Sequence, residues 1–156
     1  MKAIIQRVQK SYVSVSGEVV SSIGPGLCVL VGIHKEDKQQ DIDYIVRKIL
    51  NIRIFEDDGK RWQKSVKDLN QEVLCVSQFT LYSKLKGNKP DYSQNMGGDD
   101  AKSFYEQFLS SMKNNYCEEK VKDGKFGAMM QVSLVNDGPV TITLESPKSP
   151  QIDPEI

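Results

Sequence analysis

The chain has 156 residues, enough for one domain with a sizeable core. Its 21 basic and 21 acidic residues cancel, which excludes a globally basic nucleic-acid binder and leaves any polyanion contact to a local patch. One histidine, His34, and three widely spaced cysteines, Cys28, Cys75 and Cys117, argue against a metal site and fit free thiols in a reducing cytosol.

Taken in order, Met1–Arg7 carries no apolar signal region, and no apolar run approaches membrane-spanning length. A cytoplasmic protein without membrane contact is therefore expected. Lys2–Lys10 predicts a first strand, and Ser11–Ser22 a hairpin that breaks at Ser16-Gly17. After the Gly24-Pro25-Gly26 turn, the apolar run Leu27–Ile33 predicts a strand buried on both faces. His34 ends it.

Asp37 and Gln40 have the spacing of a capping box. Behind them Ile42, Ile45, Val46, Ile49 and Leu50 recur at helical spacing, one apolar stripe for a sheet. Glu56–Lys60 is turn chemistry between short strands at Ile52–Phe55 and Arg61–Gln63.

Glu72–Ser83 predicts a core strand that turns polar at Ser77-Gln78-Phe79-Thr80. As a strand it would aim Ser77, Phe79 and Leu81 one way, and Gln78, Thr80 and Tyr82 the other. Ser83–Gly98 reads as a long loop whose Lys84, Lys86 and Lys89 could touch phosphate or simply meet water. A second helix is expected from about Asp99 or Asp100 to about Tyr116, burying Ala101, Phe104, Tyr105, Phe108 and Met112.

Two closing strands, Ala128–Val135 and Val140–Glu145, flank Asn136-Asp137-Gly138-Pro139. Asp-Gly there reads as a hairpin turn, but Pro139 has no N–H to give the returning strand. Residues 1–146 are expected to form the single folded domain. Residues 147–156, with three prolines, read as a loose tail.

Side chains supply no obvious catalytic machine. No G-x-S-x-G elbow surrounds Ser77 or Thr80, His34 is the only histidine base on offer, and phosphate-binding glycine loops are missing. Chemistry here would draw on main-chain N–H and C=O groups and on the substrate itself. A motif of Gly and Pro, which presents backbone, suits that.

Met1–Val8, Ser77-Gln78-Phe79-Thr80-Leu81, Lys86–Asp91, Gly124-Lys125-Phe126-Gly127 and Asn136–Thr141 together resemble the D-aminoacyl-tRNA deacylases, over essentially the whole span from Met1 to Ser146. The resemblance implies an α+β fold. It implies a homodimer of compact, barrel-like β domains, mostly antiparallel, with two main helices packed outside. It implies hydrolysis of the ester in D-aminoacyl-tRNA, with glycyl-tRNA as a second substrate and no cofactor or metal. The Gly138-Pro139 peptide would be cis and would enter the other subunit's pocket. There its carbonyls hold the α-amino group and leave no room for an L-side chain. Arg7 would brace that element. Ser77, Gln78, Phe79 and Thr80 would form the catalytic strand, with Phe79 and Thr80 N–H groups at the oxyanion. Ala101 would line the pocket, and Phe126 and Met130 would surround the terminal adenosine.

The 2′-hydroxyl of the tRNA is the expected assisting group, with Thr80 as a rival nucleophile. A non-catalytic RNA- or protein-binding dimer and a small Ser/Thr esterase are the alternatives. Tyr92 stands where the family usually has Phe, and Ser93–Gly98 is unlike the family's apolar segment, so the approach to Ala101 carries over least securely.

Overall fold

The computed structural model describes residues 1–148. Along the chain run β1 (Lys2–Val15), β2 (Glu18–Ile23), β3 (Gly26–Gly32), α1 (Gln39–Asn51), β4 (Phe55–Asp57) and β5 (Lys60–Lys64). There follow β6 (Glu72–Ser77), a 3-10 turn (Phe79–Tyr82), β7 (Lys84–Lys86), β8 (Lys89–Asp91), α2 (Gly98–Asn115), β9 (Val121–Asp123) and β10 (Gln131–Glu145).

The main sheet has the order β10-β1-β3-β6-β9, with β2 paired to β1. β1 is antiparallel to β10, β2 and β3, whereas β6 runs parallel to β3 and β9. β2 also packs against β6 and β9, which curls the sheet into a nearly closed, barrel-like shell. The expected α+β architecture with two main helices is what forms.

β3 explains why one strand can organise two cores. Leu27, Val29 and Val31 face α1 and α2, where they meet Ile45, Ile49, Phe104 and Phe108. Cys28 faces the opposite way, toward Val8, Val13, Leu74 and Val76. The run is buried on both faces, as its unbroken apolar character requires. The period-3.6 stripe of α1 is buried at every predicted position. So is that of α2, which also buries Leu109. Burying Phe108 completely makes it worth about 3–5 kcal/mol against alanine. At the start of β3 a Cβ on Gly26 would lie 1.9 Å from the Glu72 carbonyl oxygen, so only glycine lets the two strands pair there. The buried thiols of Cys28 and Cys75 are both pushed up by desolvation.

Several expected boundaries move, each for a local reason. β1 does not stop at Lys10 but continues to Val15, absorbing register shifts against β10. The Ser16-Gly17 turn comes where predicted, both residues having positive φ. α1 begins after Lys38, and Asp41, not Gln40, accepts the Lys38 N–H at 2.8 Å. Asp37 is drawn away from capping. Its carboxylate accepts the Met1 amino group at 2.7 Å and the His34 N–H at 2.7 Å. α2 begins at Gly98, so Asp99 and Asp100 sit in its first turn, near the positive end of the helix dipole, instead of capping it.

β6 ends at Ser77 and the chain then coils into the 3-10 turn, so the alternating faces expected through Tyr82 do not exist. The long loop is not structureless either: β7 and β8 form a small hairpin around Gly87-Asn88. The expected tail from Pro147 falls almost wholly on residues outside the described ones.

Candidate functional site

The closing segment is the largest departure from expectation. The expected strands Ala128–Val135 and Val140–Glu145 do not fold back on each other as a hairpin. β10 is one strand whose two halves both pair with β1. Gln6 lies opposite Thr141 and Val8 opposite Asn136, so Asp137, Gly138, Pro139 and Val140 together face Arg7 alone. Surplus residues in one strand must leave the ladder, and here they form a wide bulge that carries Gly138 and Pro139 to the surface. Pro139 is tolerable because the bulge needs no ladder N–H at that point. The Gly138–Pro139 peptide is cis.

Side chains hold the bulge. Arg7 is largely buried and donates through Nε to the Asp137 carbonyl at 3.2 Å and through Nη1 to the Ile54 carbonyl. Its Nε also lies 3.4 Å from the Asp137 carboxylate. Asn136 closes the other side: its Oδ1 accepts the Val140 N–H at 2.9 Å, and its Nδ2 donates to Thr141 Oγ1 at 3.0 Å. Gly138 has φ +127, and a Cβ there would stand 2.8 Å from Val140 Cγ2 and 3.2 Å from Arg7 Nη2. Backbone conformation and space both demand glycine.

A second feature lies where β6 gives way to the 3-10 turn. An apolar cavity of about 300 Å³ opens there, lined by Ser77, Gln78 and Phe79, by Ala101 at the start of α2, and by Phe126. Val31, Ile33, Tyr92, Asn95, Met96, Gly98 and Gly127 complete its walls; sequence reasoning assigned none of these to the site. The signal for Tyr92 was its place directly after Lys-Pro-Asp. Its ring packs on that of Phe79 at 5.0 Å between centroids. The loop below it is pinned by Asp91, which accepts hydrogen bonds from Ser93 Oγ and N–H; these hold its carboxyl below the usual range. Phe126 leans on Tyr105 at 5.7 Å, and the Tyr105 hydroxyl donates to Asp123 at 2.7 Å. Burial pushes the Asp123 carboxyl up, against the opposing pull of that hydrogen bond.

Among the backbone groups here, Gln78 N–H is taken by the Val31 carbonyl and Leu81 N–H by the Gln78 carbonyl. Phe79 and Thr80 open the 3-10 turn, and the first N–H groups of a helical turn have no partner inside it. Thr80 itself is exposed and lies outside the cavity lining. Its Oγ1 accepts from the Gln78 amide. An amide cannot take a proton at neutral pH, so Thr80 has no base in this contact. His34 lines a different, polar cleft with Tyr82 and Asp37, and its Nδ1 accepts the Glu36 N–H.

The expected site residues thus fall into groups. Ser77, Gln78, Phe79, Ala101 and Phe126 come together in the cavity. Arg7, Gly138 and Pro139 line a separate cleft of about 310 Å³, which shares no residue with the first. Met130 lines neither, but its Sδ accepts the Lys125 N–H at 3.3 Å and so steadies the turn that presents Phe126. Among the described residues no cluster of His, Cys, Asp or Glu could hold a metal ion, and no helix is long and apolar enough to cross a membrane.

Comparison with known proteins shows the family of the chain. The family model described as D-Tyr-tRNA(Tyr) deacylase matches residues 4–145. A D-aminoacyl-tRNA deacylase of Drosophila melanogaster is 61% identical over 156 residues, all of this chain and 99% of that protein. D-aminoacyl-tRNA deacylase 1 of Homo sapiens is 57% identical over 148 residues, 94% of this chain and 71% of that protein. A solved structure named c-Myc DNA Unwinding Element Binding Protein is 57% identical with a TM-score of 0.91, covering 94% of this chain and 99% of that one.

Proposed function

The chain belongs to the D-aminoacyl-tRNA deacylase family and hydrolyses the ester of D-aminoacyl-tRNA, and from that premise we propose that each active site is built by two copies of the chain. The observation that carries this is the separation of the two halves. The cavity under Phe79 and the Gly138-Pro139 bulge line different clefts of one chain, and both open at its surface. In a two-fold dimer the bulge of one subunit enters the cavity of the other, and symmetry makes two such sites.

The terminal adenosine lies in the apolar cavity against Phe126, on the subunit that supplies Ala101. The Gly138 and Pro139 carbonyls of the partner accept hydrogen bonds from the substrate α-amino group. With that group and the ester both fixed, an L-side chain would run into the bulge while a D-side chain points away from it. Glycine has nothing to reject, so glycyl-tRNA is also a substrate. The Phe79 and Thr80 N–H groups receive the developing oxyanion.

An aminoacyl ester is already activated, so positioning and oxyanion stabilisation suffice. The neighbouring 2′-hydroxyl of the tRNA assists the attacking water, since the Gln78 amide leaves Thr80 without a base. The enzyme works in the cytosol, where its two buried thiols stay reduced.

The test is complementation. Gly138→Ala damages the bulge and Ala101→Leu fills the cavity; each homodimer is expected to be nearly inactive on D-tyrosyl-tRNA at sub-saturating concentration. Mixed and re-assembled, half of the dimers contain one intact composite site, and about a quarter of wild-type activity should return. No recovery from dimers shown to have exchanged would mean that both halves act within one chain. Substrates support the chemistry: D-tyrosyl-tRNA should be released and L-tyrosyl-tRNA spared. A 2′-deoxy terminal adenosine should slow release by roughly 100-fold or more.

A further inference from the structure

Two small hairpins stand apart from the main sheet, and their charges are arranged in opposite ways. In β4–β5, Asp57 is opposite Lys60 at the turn, and Phe55 is buried at the foot. In β7–β8, Lys86 is opposite Lys89, and Lys84 is opposite Asp91. Residues directly opposite in an antiparallel pair share a face, as do residues two apart in one strand. Lys84, Lys86 and Lys89 therefore lie on one face with a single carboxylate, and Leu85 and Pro90 lie on the other. Like charges placed directly opposite destabilise a hairpin. The body of the fold does little to offset that. Every residue of β7 is exposed, and in β8 only Asp91 is partly covered. A lone two-stranded hairpin is marginal in water. Lys86 lies 3.4 Å from the Asp91 carboxylate, and among the described residues Lys84 and Lys89 have no acidic partner. The chain as a whole is neutral, yet residues 84–91 carry three lysines and one aspartate.

The hairpin stands at the rim of the apolar cavity. β7 leaves the 3-10 turn that begins with Phe79, and β8 runs into Tyr92. Both of these rings line the cavity, and they pack on each other. Both feet of the hairpin are tied down. The Ser83 N–H donates to the Thr80 carbonyl at 3.1 Å, and the Asp91 carboxylate accepts from Ser93. Three residues of strand rise about 10 Å from that rim.

We propose that the lysine face of β7–β8 binds the phosphates of the tRNA 3′ end, on the nucleotides that precede the terminal adenosine. The proposal rests on the composite site above, which puts the adenosine in the cavity at the foot of this hairpin. A strand that leaves the cavity by its 5′ side passes the rim first, so its first phosphates meet the hairpin. A row of cations that tracks a backbone, beside aromatic rings at the base, is a common way to hold single-stranded nucleic acid. Ammonium groups on long flexible stems suit phosphates that no duplex holds in place. The phosphates also screen the repulsion between Lys86 and Lys89. Such contacts set register and orientation and carry no base information. The lysines thus deliver the ester to the cavity, and the backbone groups around Phe79 and the partner's bulge act on it.

Mixed dimers assign the hairpin to a subunit. With Gly138→Ala in one chain and Ala101→Leu in the other, the recovered site takes its cavity from the Gly138→Ala chain. Lys84→Gln, Lys86→Gln and Lys89→Gln, placed together on that chain, should raise KM for D-tyrosyl-tRNA. On the other chain they should do nothing. The reverse result would detach the hairpin from the cavity it adjoins and overturn the proposal.

The same triple variant, made as a full-length homodimer, gives the main readout. All three side chains are exposed and two of them repel, so Tm should not fall. KM for D-tyrosyl-tRNA should rise roughly 30-fold with kcat retained. The slope of log(kcat/KM) against log salt should lose about 2, near 0.7 for each of three contacts to a single strand. Arginine at the three positions should retain both values, since the charge is kept. The phosphate-free probe is the amide of D-tyrosine with 3′-amino-3′-deoxyadenosine, whose Kd by calorimetry should be equal for wild type and variant. The same amide extended by two nucleotides on its 5′ side should bind the wild type roughly tenfold tighter and the variant no tighter. An unaltered KM and slope, or no gain from the added nucleotides, overturns the proposal and leaves the composite site standing. Weaker binding of the phosphate-free amide to the variant would put the lysines inside the adenosine pocket, and overturns it as well. Failure of that amide to bind the wild type would overturn the composite site and the proposal with it.

Discussion

The cavity under Phe79 and the bulge at Gly138 are built by opposite means. The cavity is made by scaffold ends: β3 and β6 stop, α2 starts, and packed apolar side chains shape what lies between them. The bulge is a surplus of residues in a strand, kept in shape by polar contacts from Arg7 and Asn136. One is apolar and walled by packed elements of the fold, the other polar and pushed into solvent. They share a single property. In both, regular pairing has just ended, so main-chain groups point outward without ladder partners. A site that works through backbone has to be placed where secondary structure breaks.

The sharpest way to break the bulge is Gly138→Ala. The new methyl would stand 3.1 Å from the Val140 nitrogen and force an L-residue to φ +127. That costs about 1–3 kcal/mol locally, and the bulge is expected to yield by shifting its carbonyls. Activity on D-tyrosyl-tRNA should fall roughly 100-fold, with Tm lowered by about 2–12 °C and the fold retained because Gly138 is at the surface. An active variant would show that the carbonyl positions do not matter. The matching change in the cavity is smaller. Ala101 is buried in the lining, and Ala101→Leu adds three carbons where overpacking costs about 1–3 kcal/mol. The expected loss is roughly 30-fold, carried by KM, and a change in kcat alone would remove the adenosine from this cavity.

Arg7→Ala comes next and tests the support of the bulge instead of the bulge itself. It leaves the Ile54 and Asp137 carbonyls without their donor. With the Arg7 side chain only 16% exposed, water replaces it poorly, and stability should drop by about 2–3 kcal/mol with roughly a tenfold loss of activity. Arg7→Lys should rescue little, because one ammonium cannot span both carbonyls as the guanidinium fork does. Full rescue by lysine would show that charge and not geometry is what Asp137 needs. Chemical denaturation and deacylation measured on the same samples separate the two effects.

The difference between the regions also governs what could be read from sequence. α1 and α2 were legible because Ile42, Ile45, Ile49 and Phe104, Phe108, Met112 repeat at a local period that survives any tertiary context. β3 was legible for the same reason, as an unbroken apolar run. The β10 bulge was not, because its shape depends on register against Arg7, some 130 positions away. Local chemistry at Asp137-Gly138 honestly favours a hairpin, and only pairing of both flanks with β1 defeats it. The β7–β8 hairpin had a usable signal in Gly87-Asn88, which the surrounding lysines and Pro90 masked. The positive φ of Trp62 had none, since residue type argues against it. Motif matching reached the cavity residues Ser77–Phe79, Ala101 and Phe126 but not the walls supplied by Asn95 and Met96, because Ser93–Gly98 is unlike the matching segment of the family.

The smallest expected effect falls on the residue that looks most like a nucleophile. Thr80 is exposed, lies outside the cavity lining, and has its hydroxyl engaged by an amide. Thr80→Ala retains the backbone N–H proposed to receive the oxyanion, so deacylation should fall less than about threefold. Thr80→Pro removes that N–H and should be far worse, although the turn itself is then at risk; circular dichroism and Tm establish whether the variant is folded. The pH dependence gives an independent check. Among the described residues Tyr92 is the only titratable one lining the cavity, and it is exposed. With no histidine, cysteine or carboxylate among the described residues of that lining, kcat for the wild type should show no bell between about pH 6 and 8. A bell-shaped profile retained in Thr80→Ala would mean that a side chain from outside this lining enters the reaction. A bell abolished by Thr80→Ala, together with loss of turnover, would return the hydroxyl to the centre of the mechanism and shift the chemistry from the tRNA to the protein.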